Sequence, residues 1–214
     1  MSRRALVAGL YREVARRGLI TGSSGNVSAR SPRGMVITPT GIRGDAVAAG
    51  DIVAMTLEGE VVGRSLPSSE WRMHAAIFRA FPAAMVIVHT HSDAATALAC
   101  LGRPLPAFHY DIAQFGGEDV RVAPYALFGS EELARHAVVA LEGRTACLLA
   151  NHGMICYAGD ADAALLAAVR LETMARQYLL ALAAGTPRLL DTVAMAEVRT
   201  RYASYGQRGG QRGE

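Results

Sequence analysis

The sequence predicts a single α/β domain in which helices cover a central sheet, and three observations predict it. Half of the 214 residues are apolar and only 19% are charged, enough to bury one sizeable core in a chain of this length. Two short apolar runs, residues 85–88 and 146–150, read as strands buried on both faces. Segments with apolar residues at helical spacing precede and follow these runs.

Taken in order, Leu6, Val7, Leu10 and Val14 put one apolar face on a helix over 3–17, which Gly18 ends. The small, polar stretch from Thr21 to Ser28 is a loop entering a short strand. Residues 35–37 form a second strand, stopped by the turn Thr38-Pro39-Thr40-Gly41. Residues 51–57 and 60–62 are strands joined at Glu58-Gly59. Pro67-Ser68-Ser69-Glu70 starts a helix that runs to Ala80, with a serine as N-cap and the acid in the first turn. Further helices are expected over 92–101, 130–141, 160–184 and 191–203. Residues 206–214, rich in Gly, Gln and Arg, read as a frayed tail behind a domain of residues 1–205.

Composition excludes several functions. The net charge is +3 and no basic run alternates with aromatics, so nucleic acid is not an expected partner; a mild positive field suits a small anionic substrate. No apolar run reaches the roughly 20 residues that span a bilayer. Met1-Ser2-Arg3-Arg4 leads into an Arg-rich amphipathic segment rather than a signal peptide, so a cytoplasmic enzyme without a membrane partner is expected. Cys100, Cys147 and Cys156 are odd in number and lie in apolar context, which reads as reduced core thiols. All 22 basic residues are arginine. Without lysine the chain has no side-chain amine for a Schiff base, for anchoring pyridoxal phosphate or for a P-loop. Carbon chemistry here needs another electron sink, and a metal is the candidate.

His89 and His91 are one residue apart, so on a strand both imidazoles face the same way. His152 follows the second apolar run. Three imidazoles with an open position suit a catalytic zinc site, whereas a structural site is closed, usually by thiolates. Each histidine alone also reads as a polar residue finding a hydrogen bond at a strand end. His74, one helical turn after Glu70, reads as packing, His136 as a surface residue and His109 as a loop residue beside a site. Glu70 alone is also ordinary dressing for a first helical turn. Ser68 and Ser69 at a helix start, the loop Gly22–Asn26 and Thr40-Gly41 are places where backbone N–H groups could meet phosphate oxygens, although each is also a plain turn.

Several motifs recur together: Gly25-Asn26-Val27-Ser28, Ile37-Thr38-Pro39-Thr40-Gly41, Leu66-Pro67-Ser68-Ser69-Glu70-Trp71-Arg72, His89-Thr90-His91, His109-Tyr110, Ala123-Pro124-Tyr125, Phe128-Gly129 and Asn151-His152-Gly153. In this order and spacing they resemble the class II aldolase/adducin-head family, from near residue 6 to Tyr205. The resemblance implies a three-layer α/β domain whose central, mainly antiparallel sheet has helices on both faces. It implies one zinc ion per subunit on His89, His91 and His152, with Glu70 as fourth ligand at rest and as base once substrate displaces it. Gly25, Asn26, Thr40, Gly41, Ser68 and Ser69 match the family's phosphate pocket. Tyr110 matches a tyrosine that exchanges a proton with the aldehyde-side oxygen, and Tyr205 resembles a C-terminal tyrosine that closes over the site. A homotetramer with sites at subunit interfaces is implied as well.

The implied reaction cleaves a ketose 1-phosphate, either L-fuculose-1-phosphate-like or a deoxy- or methylthio-pentulose 1-phosphate, into dihydroxyacetone phosphate and an aldehyde. A metal-stabilised ene-diolate carries the charge. The same frame in other members epimerises pentulose 5-phosphates at C4, decarboxylates 3-oxo-tetronate 4-phosphate or dehydrates methylthioribulose 1-phosphate, and the adducin heads are non-catalytic interaction domains. Asp111-Ile112-Ala113-Gln114-Phe115 departs from the fuculose-type pattern. An acid at 111 is reminiscent of the epimerase branch, where an aspartate of this loop donates a proton.

Overall fold

The computed structural model describes residues 1–204, so Tyr205 and the expected tail at 206–214 lie outside the described residues. An eight-stranded sheet forms the middle layer. Its strands are β1 (Asn26–Ser31), β2 (Gly34–Ile37), β3 (Val53–Met55), β4 (Val61–Val62), β5 (Val86–Thr90), β8 (Val122–Ala123), β9 (Ala146–Leu149) and β10 (Gly153–Ala158). They lie in the order β4-β3-β2-β1-β5-β10-β9-β8. Every pairing is antiparallel except β8 with β9. A separate ribbon pairs β6 (Leu105–Pro106) with β7 (Asp119–Val120).

The helices are α1 (Arg3–Arg16), α2 (Trp71–Ala80), α3 (Asp93–Cys100), α4 (Glu131–Ala140), α5 (Ala161–Ala184) and α6 (Thr192–Ala203), with a 3-10 helix η1 over Tyr110–Phe115. Strand alternation sorts the apolar side chains into two cores. Val27, Ala29, Val86, Val88, Leu148, Met154 and Cys156 face α1, α3 and α5. Met35, Ile37, Ile87, Cys147, Leu149 and Ile155 face α2 and α4. Both faces of the sheet are therefore covered, which is why the inner strands read as unbroken apolar runs although their pairing is antiparallel rather than parallel.

Most helix starts carry the oxygen that caps them: Ser130, Asp160 and Asp191 accept from the N–H three residues on. Helix α2 departs from expectation. It begins at Trp71 with Glu70 at the N-cap position and no side-chain cap. The Ser68 hydroxyl instead accepts from the Glu70 N–H at 3.3 Å, and the Glu70 carboxylate points elsewhere. The expected strand over 51–57 contracts to β3, since Asp51 turns back to cap the Ala48 N–H. Cys147 and Cys156 are buried thiols, but Cys100, expected in the core, is exposed at the end of α3. Neither η1 nor β10 was signalled by the sequence. Among the described residues no helix is long and apolar enough to cross a membrane.

Candidate metal centre and substrate cavity

Four side chains converge at one end of the central strands. His89 lies on β5 on the Ile87 face, and His91 lies two residues on, just past the strand, so their Nε2 atoms are 3.0 Å apart. His152 is delivered by the hairpin between β9 and β10, whose connecting residues are Ala150, Asn151 and His152. Asn151 takes a left-handed conformation (φ 55°), which its short polar side chain tolerates. Gly153 lets the hairpin lie close against β5: a Cβ there would sit 2.4 Å from the Thr90 carbonyl oxygen and 3.1 Å from His91 Cδ2. The three rings lie edge to face with centroids 4.8–4.9 Å apart.

Glu70 completes the group from the start of α2. Its Oε2 is 2.8 Å from His89 Nε2 and 3.3 Å from His152 Nε2. Its Oε1 accepts from the Gly129 N–H at 3.1 Å. Gly129 has φ 73°, and a Cβ there would meet the Ser69 carbonyl oxygen at 2.7 Å, so only glycine brings that N–H to the carboxylate without strain.

The donor set fits a cation. One ligand atom from each of Glu70, His89, His91 and His152 lies within 4.8 Å of the others. His89 donates Nδ1–H to the Met154 carbonyl at 2.8 Å, which leaves its Nε2 as a bare lone pair facing the carboxylate. Glu70 Oε2 is correspondingly buried without a hydrogen bond among the described residues. Acceptors held this close repel unless a positive charge lies between them. Burial alone would raise the Glu70 carboxyl, but positive charge on the neighbouring rings of His89 and His152, when these are protonated, outweighs it and holds the carboxyl well below the usual carboxylate range. The protein packed around His91, with His89 and His152 beside it, pulls that imidazole down to about 4, so it is neutral and available as a ligand at pH 7. Glu70 and His89 are buried while His91 is exposed, so the group opens to one side.

It opens into a cavity of about 140 Å³. Gly25, Asn26, Thr40, Gly41, Ser68 and Ser69, the six positions matched to a phosphate pocket, all line it together with Glu70, His89, His91 and His152. Backbone contacts draw the loops together: Thr40 N–H donates to Leu66, Ser68 N–H to Thr38, and Pro39 bridges Pro67. Tyr11 was not singled out by the sequence, yet its hydroxyl reaches the carbonyls of Ser24 and Gly25 at 3.2 and 3.3 Å and ties the first loop to α1. Glu172, also unforeseen, accepts from the Ala94 and Ala95 N–H groups at 2.9 Å each. It thereby caps α3, which starts two residues after His91 and whose Ser92 makes no side-chain cap.

Tyr110 is not brought to this cavity within one chain. It is half exposed and lines a second cleft with Asp111, Gln114, Arg170, Arg201 and Tyr202. The Asp111 carboxylate accepts from the Tyr202 hydroxyl and from Gln114 Nε2, the latter at 2.9 Å. His109 caps η1, its Nδ1 accepting from the Asp111 N–H. His136 meets the Pro124 carbonyl at the surface.

Known proteins share this fold and much of this sequence. The chain is 46% identical over 208 residues to the 5-methylthioribulose-1-phosphate/5-deoxyribulose-1-phosphate aldolase of Rhodospirillum rubrum, covering 96% of this chain and 94% of that one. It is 42% identical to the L-fuculose phosphate aldolase of Escherichia coli O6:H1, covering 92% of each. A solved structure of an L-fuculose 1-phosphate aldolase superposes with a TM-score of 0.90 at 39% identity, covering 94% of this chain and 96% of that one. Residues 5–179 match the class II Aldolase and Adducin N-terminal domain, and the chain belongs to that family.

Proposed function

We propose that the protein is a class II aldolase that cleaves the C3–C4 bond of a ketose 1-phosphate, giving dihydroxyacetone phosphate and an aldehyde. The observation that carries this reading is the Glu70, His89, His91 and His152 group opening into a cavity walled by small polar loops. Three imidazoles and a carboxylate are a donor set suited to zinc, which we assign as the ion, one per subunit. Bound there, a divalent cation supplies Lewis-acid stabilisation of the charge left on the ketone side when the C–C bond breaks, the task a lysine performs elsewhere.

The chain's own residues do the rest. N–H groups and hydroxyls around Gly25, Asn26, Thr40, Gly41, Ser68 and Ser69 hold the phosphate and so fix the position of C3. Glu70, ionised at rest, takes up a proton when substrate enters and gives it to C3 after cleavage, while Tyr110 relays the C4 hydroxyl proton to solvent as the bond breaks. Because Tyr110 lines a different cleft of its own chain, we assign it to the site of a neighbouring copy in a homotetramer. The Asp111 carboxylate is engaged by Tyr202 and Gln114, which argues for a structural role and against epimerase-type proton donation. A cytoplasmic location accords with this chemistry.

For the substrate, we favour a 5-deoxy- or 5-methylthio-pentulose 1-phosphate over L-fuculose 1-phosphate, on the higher identity to the relative named for the former. The test is a panel of these three esters, ribulose 5-phosphate and 3-oxo-tetronate 4-phosphate, with dihydroxyacetone phosphate, epimer and carbon dioxide each assayed. Release of dihydroxyacetone phosphate from a 1-phosphate, abolished by chelation and restored by zinc, is the expected result. An epimer or carbon dioxide as sole product would reassign the reaction.

A further inference from the structure

His74 is fully buried and is not one of the converging metal-type donors, yet it makes two short side-chain contacts. Its Nδ1 is 2.6 Å from Ser28 Oγ and its Nε2 is 2.5 Å from Asn26 Oδ1. A neutral imidazole has one donor and one acceptor nitrogen, so two hydrogen-bond patterns compete. In one, the Ser28 hydroxyl donates to Nδ1, and Nε2–H donates to the Asn26 carbonyl. In the other, Nδ1–H donates to Ser28, and the Asn26 amide must turn round to donate to Nε2.

Burial decides between them. Ser28 is fully buried, and Nδ1 is the one side-chain partner of its hydroxyl among the described residues. The second pattern would leave the Ser28 O–H without an acceptor in the interior, the costlier outcome. In the first, every group is satisfied except the Asn26 NH2, which makes no hydrogen bond among the described residues, while Asn26 itself lines the cavity. Burial holds the His74 imidazole down at about 3, with nearby His89 adding to the effect, so the ring stays neutral at physiological pH.

We propose that His74 is a positioning residue: Ser28 fixes its tautomer, and its Nε2–H clamps the Asn26 carbonyl so that the Asn26 NH2 faces the cavity as a fixed donor. The partner this donor suits is an oxyanion without protons to give, a phosphate oxygen of the substrate. A flipped amide would present a carbonyl to the same oxygen and repel it. The inference rests on the reading of the cavity as a sugar-phosphate site, but tautomer and phosphate binding can be measured without turnover.

The experiment uses full-length, zinc-loaded protein as wild type, Ser28→Ala, His74→Phe and Asn26→Ala. Nitrogen-15 spectroscopy of His74 reports its tautomer, calorimetry with inorganic phosphate reports the donor, and metal analysis reports the ion. In the wild type Nδ1 is expected to be unprotonated and Nε2 protonated. Phosphate affinity is expected to fall about tenfold or more in His74→Phe and Asn26→Ala, and several-fold in Ser28→Ala, with zinc content unchanged. In turnover, KM should rise more than kcat falls. Ser28→Ala removes only a hydroxyl and keeps the test open if His74→Phe does not fold. A protonated Nδ1 in the wild type, or phosphate affinity in Ser28→Ala equal to wild type, overturns the proposal. Wild-type phosphate binding with the expected tautomer but no cleavage of any ketose 1-phosphate would instead overturn the aldolase reading alone.

Discussion

At the scale of the residue, Glu70 combines three demands that conflict in most carboxylates: it is buried, ionised and only half satisfied by hydrogen bonds. Glu70→Gln keeps the shape and one acceptor oxygen but loses the charge. Zinc should still bind, more weakly, while kcat falls by about 10² to 10⁴, the range for loss of a general base; metal analysis beside steady-state kinetics checks both. His74 gives a second expectation. Its folded-state pKa of about 3 lies below the ordinary 6.5, so between those values the unfolded chain takes up a proton that the folded chain refuses. Stability from this residue is therefore complete above about pH 6.5 and lost as pH falls towards 3, by at most about 1.4 kcal/mol per pH unit. Urea unfolding of chelator-treated protein across this window should show a shallower slope for His74→Gln than for wild type. The three clustered histidines were legible in the sequence because His-x-His and strand-terminal histidines are local patterns, whereas Glu70 joined them only through the resemblance of the motif series. The role of His74 was not, since its partners Asn26 and Ser28 are distant in the chain and only the β1–α2 packing reveals them.

At the scale of the element, the site depends on how α3 and the β9–β10 hairpin are held. Glu172 reaches from α5 to the first free N–H groups of α3, fixing the turn that carries His91. Glu172→Ala should destabilise the fold by about 1–3 kcal/mol, the range for a lost charged cap. It should also weaken zinc retention against a chelator, which thermal melts and a competition assay would separate. Gly153→Ala is expected to act on the same turn from the other side, because the added methyl must displace the Thr90 carbonyl or the His91 ring. Most helices were legible from periodicity and caps. Strand β10, next to β5 at the centre of the sheet, was not, because 153–158 begins only three residues after β9 and Asn151-His152-Gly153 reads as the end of a run rather than as a hairpin. Asn151 was the available signal, a residue that accepts the left-handed turn of a tight hairpin.

At the scale of the whole molecule, the chemistry proposed for Glu70 and Tyr110 requires two copies of the chain. Light scattering should report a tetramer. A sharper test mixes Glu70→Gln with Tyr110→Phe subunits, each inactive alone, after dissociation and reassembly. If a site takes Glu70 from one copy and Tyr110 from the next, about a quarter of sites in a random mixture carry both intact residues, and activity returns to about that level. No recovery would place the two residues in the same chain's site or take Tyr110 out of the reaction. The three-layer architecture was legible from the motif series, but the division between the two clefts was not. Sequence order says nothing of which copy a side chain serves.

Strand β5 carries one further consequence. Within five residues it contributes to both cores and to the metal group: Val86 and Val88 to one side, Ile87 and His89 to the other. Substitutions there can be absorbed singly, but the strand cannot change length by one. An inserted or deleted residue would exchange the two cores and turn His91 away from His89, while a change of two would preserve the alternation. The segment should therefore tolerate changes of side chain far better than changes of spacing, and a library of single-codon insertions across 86–91 would yield no folded, metal-binding protein.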